Sequence, residues 1–201
     1  MTQADPFIRK LESLKEGERS RLRRLAGQPL DQTLPGFDLF TGLWWPLRQK
    51  SQVAPRRETS WLLAKLFGAF PLPYAPSVRD GPTTVLAFVL GSRERAHPAC
   101  RDAALLSSVP PESGTAKEQF LAARRFRVHF DALLQTPLSG LEPHLHWALR
   151  EVQDAVKGGT PPGLDWAQLL DDLSIWDRGE GHRRECDIRD IWAEQYLKGT
   201  R

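Results

Sequence analysis

Residues 117–134 read KEQFLAARRFRVHFDALL. Phe120, Ala123, Phe126, Phe130, Leu133 and Leu134 recur at the three- and four-residue spacing that gathers side chains on one face of an α-helix, while Arg125 and His129 take the opposite face. Arg127 falls nearer the apolar side, which predicts a stem packed along the rim of the core with its charged head reaching outward.

The same period runs outward in both directions. Toward the N-terminus, Asp5 before Pro6 has the form of an N-cap, Phe7, Leu11 and Leu14 share a face, and Gly17 ends the first helix. A second helix opens at Glu18, groups Leu22, Leu25 and Ala26 on one side, and points Arg24 away from them between Arg21 and Arg23; Gly27 and Pro29 close it. Phe37 to Leu47, with Trp44 and Trp45, reads as a short core helix stopped at Pro46. Arg56 to Phe70 is the most hydrophobic helix, with Trp61, Leu62, Leu66, Phe67 and Phe70 in period and Arg56 and Arg57 in its first turn. Residues 71–82 are loop by composition, and Thr83 to Leu90, rich in β-branched residues, is read as helix from its surroundings. Toward the C-terminus, Leu138 to Val156, Asp165 to Trp176 and Asp187 to Leu197 complete the set, and Trp147, Trp166, Trp176 and Trp192 are expected in the core.

Helices joined by short loops predict an all-α fold, a helical bundle arranged as two small lobes packed together. The polar loop at residues 107–115 marks the boundary between an N-terminal lobe with basic faces, residues 1–106, and a C-terminal bundle, residues 116–201.

Composition narrows the function. The chain has 201 residues, 40% hydrophobic and 26% charged, the profile of a folded soluble protein. It shows no signal peptide and no apolar run of membrane-spanning length, so a cytoplasmic location is expected with no membrane partner. Cys100 and Cys186 are the only cysteines, too few for a disulfide framework or a four-cysteine zinc site. The net charge of +3 conceals an asymmetry: residues 1–130 carry 20 basic and 12 acidic side chains, residues 131–201 carry 8 and 13. A basic surface of this kind attracts polyanions.

Phosphate-loop, dinucleotide and nucleophile-elbow motifs are absent, so nucleotide and acyl-transfer enzymes lose support, and no catalytic residue, cofactor or small-molecule substrate is expected. His144 with His146, or His182 with Cys186, supplies only two ligands where zinc needs at least three, so no metal is expected. Asp165, Asp171, Asp172 and Asp177 could hold magnesium, but Asp165 reads as an N-cap and Asp171 and Asp172 as ordinary outward residues. What remains is arginine: Arg19, Arg21, Arg23 and Arg24; Arg56 and Arg57; Arg124, Arg125 and Arg127. Its rigid fork of donors matches phosphate oxygens, and contacts to backbone fix position without reading sequence. The competing reading is a helical scaffold or adaptor whose arginines solvate the surface or meet acidic protein partners.

Several segments line up with a known family. Phe7, Leu11, Leu14 and Gly17; Arg21-Leu22-Arg23-Arg24 with Ala26-Gly27; Trp61-Leu62 with Leu66-Phe67; Arg124-Arg125-Phe126; Leu164-Asp165-Trp166 with Leu169-Leu170-x-Asp172-Leu173-x-x-Trp176; and Ile188-Arg189-x-x-Trp192-Ala193-x-x-Tyr196 resemble, in this order, the CasB family, the small subunits of the type I-E CRISPR surveillance complex, Cascade. Residues 71–116 and 177–187 depart from what the family leads one to expect. The resemblance implies a non-catalytic helical subunit that lies as a head-to-tail pair along a crRNA-containing complex, touching backbone subunits, the large subunit and a second copy of itself. It further implies basic residues that hold the target DNA and the displaced strand of the R-loop, carried over by position to Arg23, Arg24, Arg56, Arg57, Arg124 and Arg125. Arg21 joins them as part of the same basic helix face.

Overall fold

Local chemistry sets where the helices begin and end. The computed structural model describes residues 4–30, 40–46, 48, 56–78, 83–96, 115–154, 162–177 and 187–201, with side chains within 115–135 described from Arg124 onward. Helix α1 spans Asp5–Glu12 and α2 spans Glu16–Arg24. The helix α3 covers residues 40–46, α4 spans Arg57–Ala69 and α5 spans Leu86–Ala96. Helix α6 runs Thr115–Gln135 and leads through a 3-10 turn at Leu138–Gly140 into α7, Glu142–Asp154. Helices α8, Trp166–Ile175, and α9, Ile188–Thr200, are each capped by a preceding aspartate. The Asp165 carboxylate accepts from the Gln168 N–H and that of Asp187 from the Arg189 N–H, satisfying donors that a helix start otherwise leaves open. The all-α expectation holds: the pairing of extended backbone found among the described residues is one isolated bridge between Tyr74 and Leu164.

Several sequence readings shift by a few residues for physical reasons. Asp5 lies inside α1, and its buried carboxylate accepts from the Tyr74 hydroxyl instead of capping the helix. Gly17 does not end α1 but lies within α2, which opens at Glu16 because Glu18 turns back to accept from the Lys15 N–H, 2.9 Å away. The run at Thr83 becomes helical only from Leu86 and continues to Ala96. Pro46 is still helical, and Trp45, expected in the core, is half exposed. The loop at residues 107–114 lies outside the described residues, and Thr115 is already helical.

Helix α2 packs antiparallel on α4. Leu22 and the backbone of Arg19 and Arg23 lie against Gly68, near the C-terminal end of α4, whereas Gln28, beyond the end of α2, accepts from Trp61 and Lys65. Gly27 carries the turn out of α2 at φ 75°, a left-handed conformation that costs glycine little. Its N–H donates to Glu142 at the start of α7, 2.7 Å away, and the other oxygen of Glu142 meets the Lys65 ammonium, also at 2.7 Å. The Lys65 side chain is 3% exposed, so this carboxylate is the charge that makes its burial tolerable. Burial pushes the neighbouring His146 imidazole below its ordinary pKa despite Glu142 at 4.0 Å, which leaves Lys65 as the main cationic partner of Glu142.

Among the described residues the most extensive helix pair is α5 with α9. A Cβ placed on Gly91 would lie 2.1 Å from the Tyr196 carbonyl oxygen, and one on Gly199 would lie 2.3 Å from that of Phe88, so the two backbones are in direct contact. Gly91→Ala is therefore expected to lower stability by about 1–3 kcal/mol, because forced separation of two backbones outweighs the ~1 kcal/mol that alanine gains as a helix former. Gly17→Ala, where a Cβ meets nothing, is expected to be neutral or stabilising by up to about 1 kcal/mol. Urea denaturation of both variants checks the contrast. Buried side chains on both sides of residues 107–115, from Phe7 and Leu63 to Leu145 and Trp192, belong to one continuous apolar cluster.

Candidate nucleic-acid interface

The arginines singled out from the sequence fall into three local settings. On α2, Arg21, Arg23 and Arg24 are all exposed, as expected for the face opposite Leu22. They are not equivalent. Arg23 donates its Nε to the Gly68 carbonyl on α4 at 3.1 Å and has Glu16 at 3.6 Å, so it helps join the two helices. Arg19 is likewise engaged, donating to the Glu12 carbonyl and lying 5.8 Å from the Phe67 ring centre. Arg24 reaches only the Ser20 carbonyl of its own helix, at a long 3.4 Å. Arg21 and Arg24 thus present guanidinium groups that face no carboxylate among the described residues.

Arg56 and Arg57 open α4. Because the Arg21–Arg24 turn of α2 lies against Gly68, near the C-terminal end of α4, Arg56 and Arg57 stand at the opposite end of α4 from it. Arg56 is exposed, while Arg57 is partly covered with Glu58 at 3.5 Å. Arg124 and Arg125 are exposed on α6, whose packing partners are α7 and α9. The arginines of α2 and α4 thus belong to one helix pair but to different ends of it, and those of α6 lie on a helix that packs on α7 and α9.

Arg127 has a structural role, but its head pairs with a buried carboxylate where it was expected to reach outward. Its Nε donates at 2.7 Å to Glu94, a residue 3% exposed on α5, and the second Glu94 oxygen accepts from the Tyr196 hydroxyl. Between α6 and α9, Arg124 and Arg127 flank a groove of about 420 Å³ whose lining includes Val128 and Leu197, 57% and 56% exposed. The sequence reading did not single out this groove. Val128 interrupts the polar face of α6 and is the one signal that could have marked it.

The aspartates considered for magnesium have structural roles. Asp165 caps α8 and also accepts from the Ser77 N–H at 2.7 Å, and Asp177 accepts from the Leu138 N–H at 3.1 Å. Asp172 is not outward: it is 5% exposed and accepts from Trp192 and Gln168, both at 2.7 Å. Burial pushes its pKa up to about 6, the two hydrogen bonds opposing the shift, and burial does the same to half-covered Asp171. Among the described residues no group of three or more His, Cys, Asp or Glu is placed to hold a metal ion, and no helix is long and apolar enough to cross a membrane. His182 and Cys186 lie outside the described residues.

The two C-terminal motifs of the resemblance close on each other in space. Trp192 donates to Asp172 and meets Trp176 edge to face at 5.0 Å, with the Arg189 guanidinium 5.6 Å from the Trp176 ring centre. These residues are the joint between α8 and α9. Residues 18–197 match the family of CRISPR-associated protein Cse2. The chain belongs to this family. The match runs through residues 71–116 and 177–187, where the sequence had looked divergent.

Solved Cse2 and CasB structures share the fold. A CRISPR-associated protein of the Cse2 family from Thermus thermophilus superposes with a TM-score of 0.59 at 19% identity, covering 98% of this chain and 99% of its own. The CasB of M. ruber gives 0.61 at 16% identity, covering 100% and 93%, and a structure of CasB from Thermus thermophilus gives 0.58 at 20%, covering 98% and 99%. No curated protein matches the sequence. At these identities the Cse2 architecture persists while most surface residues differ, so the arginines must be judged on this chain's own geometry.

Proposed function

We propose that this Cse2-family chain is the non-catalytic, cytoplasmic small subunit of a type I-E Cascade complex, and that it stabilises the R-loop by holding nucleic-acid backbone. Arg21 and Arg24 form its principal phosphate-binding edge, Arg23 shapes it through Gly68, and Arg56 with Arg57 at the start of α4 and Arg124 with Arg125 on α6 provide further points of contact. The observation that carries this reading is the pair Arg21 and Arg24, exposed on α2 and facing no carboxylate among the described residues. Exchange of a DNA duplex for an RNA–DNA hybrid is nearly balanced in free energy, so backbone contacts of this kind suffice to tip it. The partners on this reading are the backbone subunits, the large subunit, a second copy of the chain, the target strand and the displaced strand.

The test is a salt titration of binding to random single-stranded and duplex DNA, with Arg21/Arg24/Arg125→Glu beside the parent. Arg23 is left in place because its loss would also unpin α2 from α4. Binding is expected to be independent of sequence and to weaken steeply with salt, and the variant is expected to lose affinity with a log–log salt slope shallower by about 2–3, roughly one per phosphate contact removed. In the reconstituted complex, the same variant is expected to shorten R-loop lifetime without changing the fold. Unaltered R-loop lifetime would overturn the reading.

The groove with Val128 and Leu197 favours a second role at the same time. Exposed apolar side chains beside a cavity mark contact with protein rather than phosphate, which suits docking of the subunit in its complex. Association through this groove is expected to survive salt that abolishes DNA binding.

A further inference from the structure

Four aromatic rings lead from the core to the surface at α3. Trp61, 3% exposed, has its indole N–H fixed to the Gln28 carbonyl and meets Phe40 edge to face at 5.4 Å. Phe40 stacks on Trp44 at 6.3 Å, and Trp44 meets Trp45 at 6.2 Å. Trp45 ends the series 51% exposed. An indole left half in water wastes apolar area unless something covers it, and this one is backed by a buried, hydrogen-bonded anchor.

Its surroundings suit a flat, negatively charged ligand. Gly42 and Arg48 stand three residues to either side of Trp45 and share its helix face. Gly42 is exposed, and a Cβ there would meet nothing within 4 Å, so no side chain of its own shields the ring edge. The Lys10 ammonium sits 2.6 Å from the Gly42 carbonyl, tying α1 to α3 and keeping further donors for another acceptor. Arg48, three residues beyond Trp45, is exposed. An exposed aromatic face with cations carried on or tied to the same helix suits single-stranded nucleic acid, which stacks its bases while its phosphates are neutralised.

We infer that Trp45 is a stacking platform for an unpaired nucleobase, with Lys10 and Arg48 flanking the phosphates of the same strand. The inference rests on the reading that this chain binds nucleic acid and deepens it, because phosphate contacts alone cannot separate a single strand from a duplex whose bases are already stacked. Trp45 supplies that preference without reading sequence, since every base has a face to offer.

The experiment measures binding of the full-length chain to a single-stranded oligonucleotide, to an abasic oligomer of equal length and charge, and to a duplex. The parent, Trp45→Ala, Trp45→Phe and Arg21/Arg24→Glu are compared. Trp45→Ala is expected to lose on the order of tenfold affinity for the base-bearing single strand and little for the abasic oligomer or duplex, while Trp45→Phe retains most of it. Arg21/Arg24→Glu is expected to lose affinity for all three. Equal loss on base-bearing and abasic strands, or no loss, would overturn the stacking role while the phosphate-binding reading stood. Failure of Trp45→Ala to enter the reconstituted complex, with DNA binding intact, would overturn it in favour of a protein contact. Absence of parent binding to every oligomer would overturn both.

Discussion

Glu142→Ala is expected to destabilise the chain by about 3–5 kcal/mol, the scale for leaving a buried charge without its partner. The Lys65 side chain, 3% exposed, would keep the Gln28 carbonyl at 3.1 Å and the Trp61 ring 5.7 Å away but no counter-charge, and the Gly27 N–H would lose its acceptor in the same step. The effect is a property of the pair. A variant with Lys65→Met and Glu142→Leu together is expected to recover most of the loss, since apolar replacement of both members of a buried ion pair is often neutral or stabilising. Denaturant midpoints of the two single variants and the double variant form the cycle that checks it. Equal midpoints for Glu142→Ala and the parent would mean that Lys65 finds water.

Trp192→Ala is expected to cost about 3–5 kcal/mol from the cavity alone, because the ring is 1% exposed against Trp176. Trp192→Phe keeps most of the volume and isolates the hydrogen bond to Asp172. Asp172 has a folded pKa of about 6, above its usual value near 3.8. The folded state therefore holds this proton more tightly than the unfolded chain, so the contribution of Asp172 to stability is largest below about pH 4 and is lost as pH rises toward 6. Trp192 opposes that loss by donating to the ionised form. Its removal is expected to hurt more at pH 7.5 than at pH 5, and unfolding curves at the two pH values read the difference. Asp171 titrates in the same window, but it does so in parent and variant alike. A cost independent of pH would remove the hydrogen bond from the account.

The helices were legible because each buries a stripe of side chains with a 3.6-residue period: α6 was read from Phe126, Phe130 and Leu133, and all three are buried. Boundaries were less legible where the deciding contact is distant in sequence. Asp5 has the form of a cap, but Tyr74, sixty-nine residues away, takes its carboxylate. Asp172 looked like one of two outward aspartates because its partner, Trp192, belongs to another helix. For the candidate site, the sequence placed Arg21 and Arg24 correctly on an exposed face, since that depends on helical period alone. It could not distinguish them from Arg23 and Arg19, whose guanidinium groups meet carbonyls that only the fold brings near. Trp45 was read as core because aromatic density suggests burial, and a series of rings that ends in water has the same composition as one that does not.

The backbone contact of Gly91 with Tyr196 and Gly199 also sets a timetable for synthesis. About a hundred residues separate the two sides, so at ribosomal rates of roughly 5–20 residues per second the Gly91 flank of α5 waits ~5–20 s for α9 to be made. Closing so long a loop is also intrinsically slow. Nascent chains should accordingly stay sensitive to protease around residues 86–96 until α9 has emerged, and chaperones that shield apolar helix flanks should engage the chain in that interval.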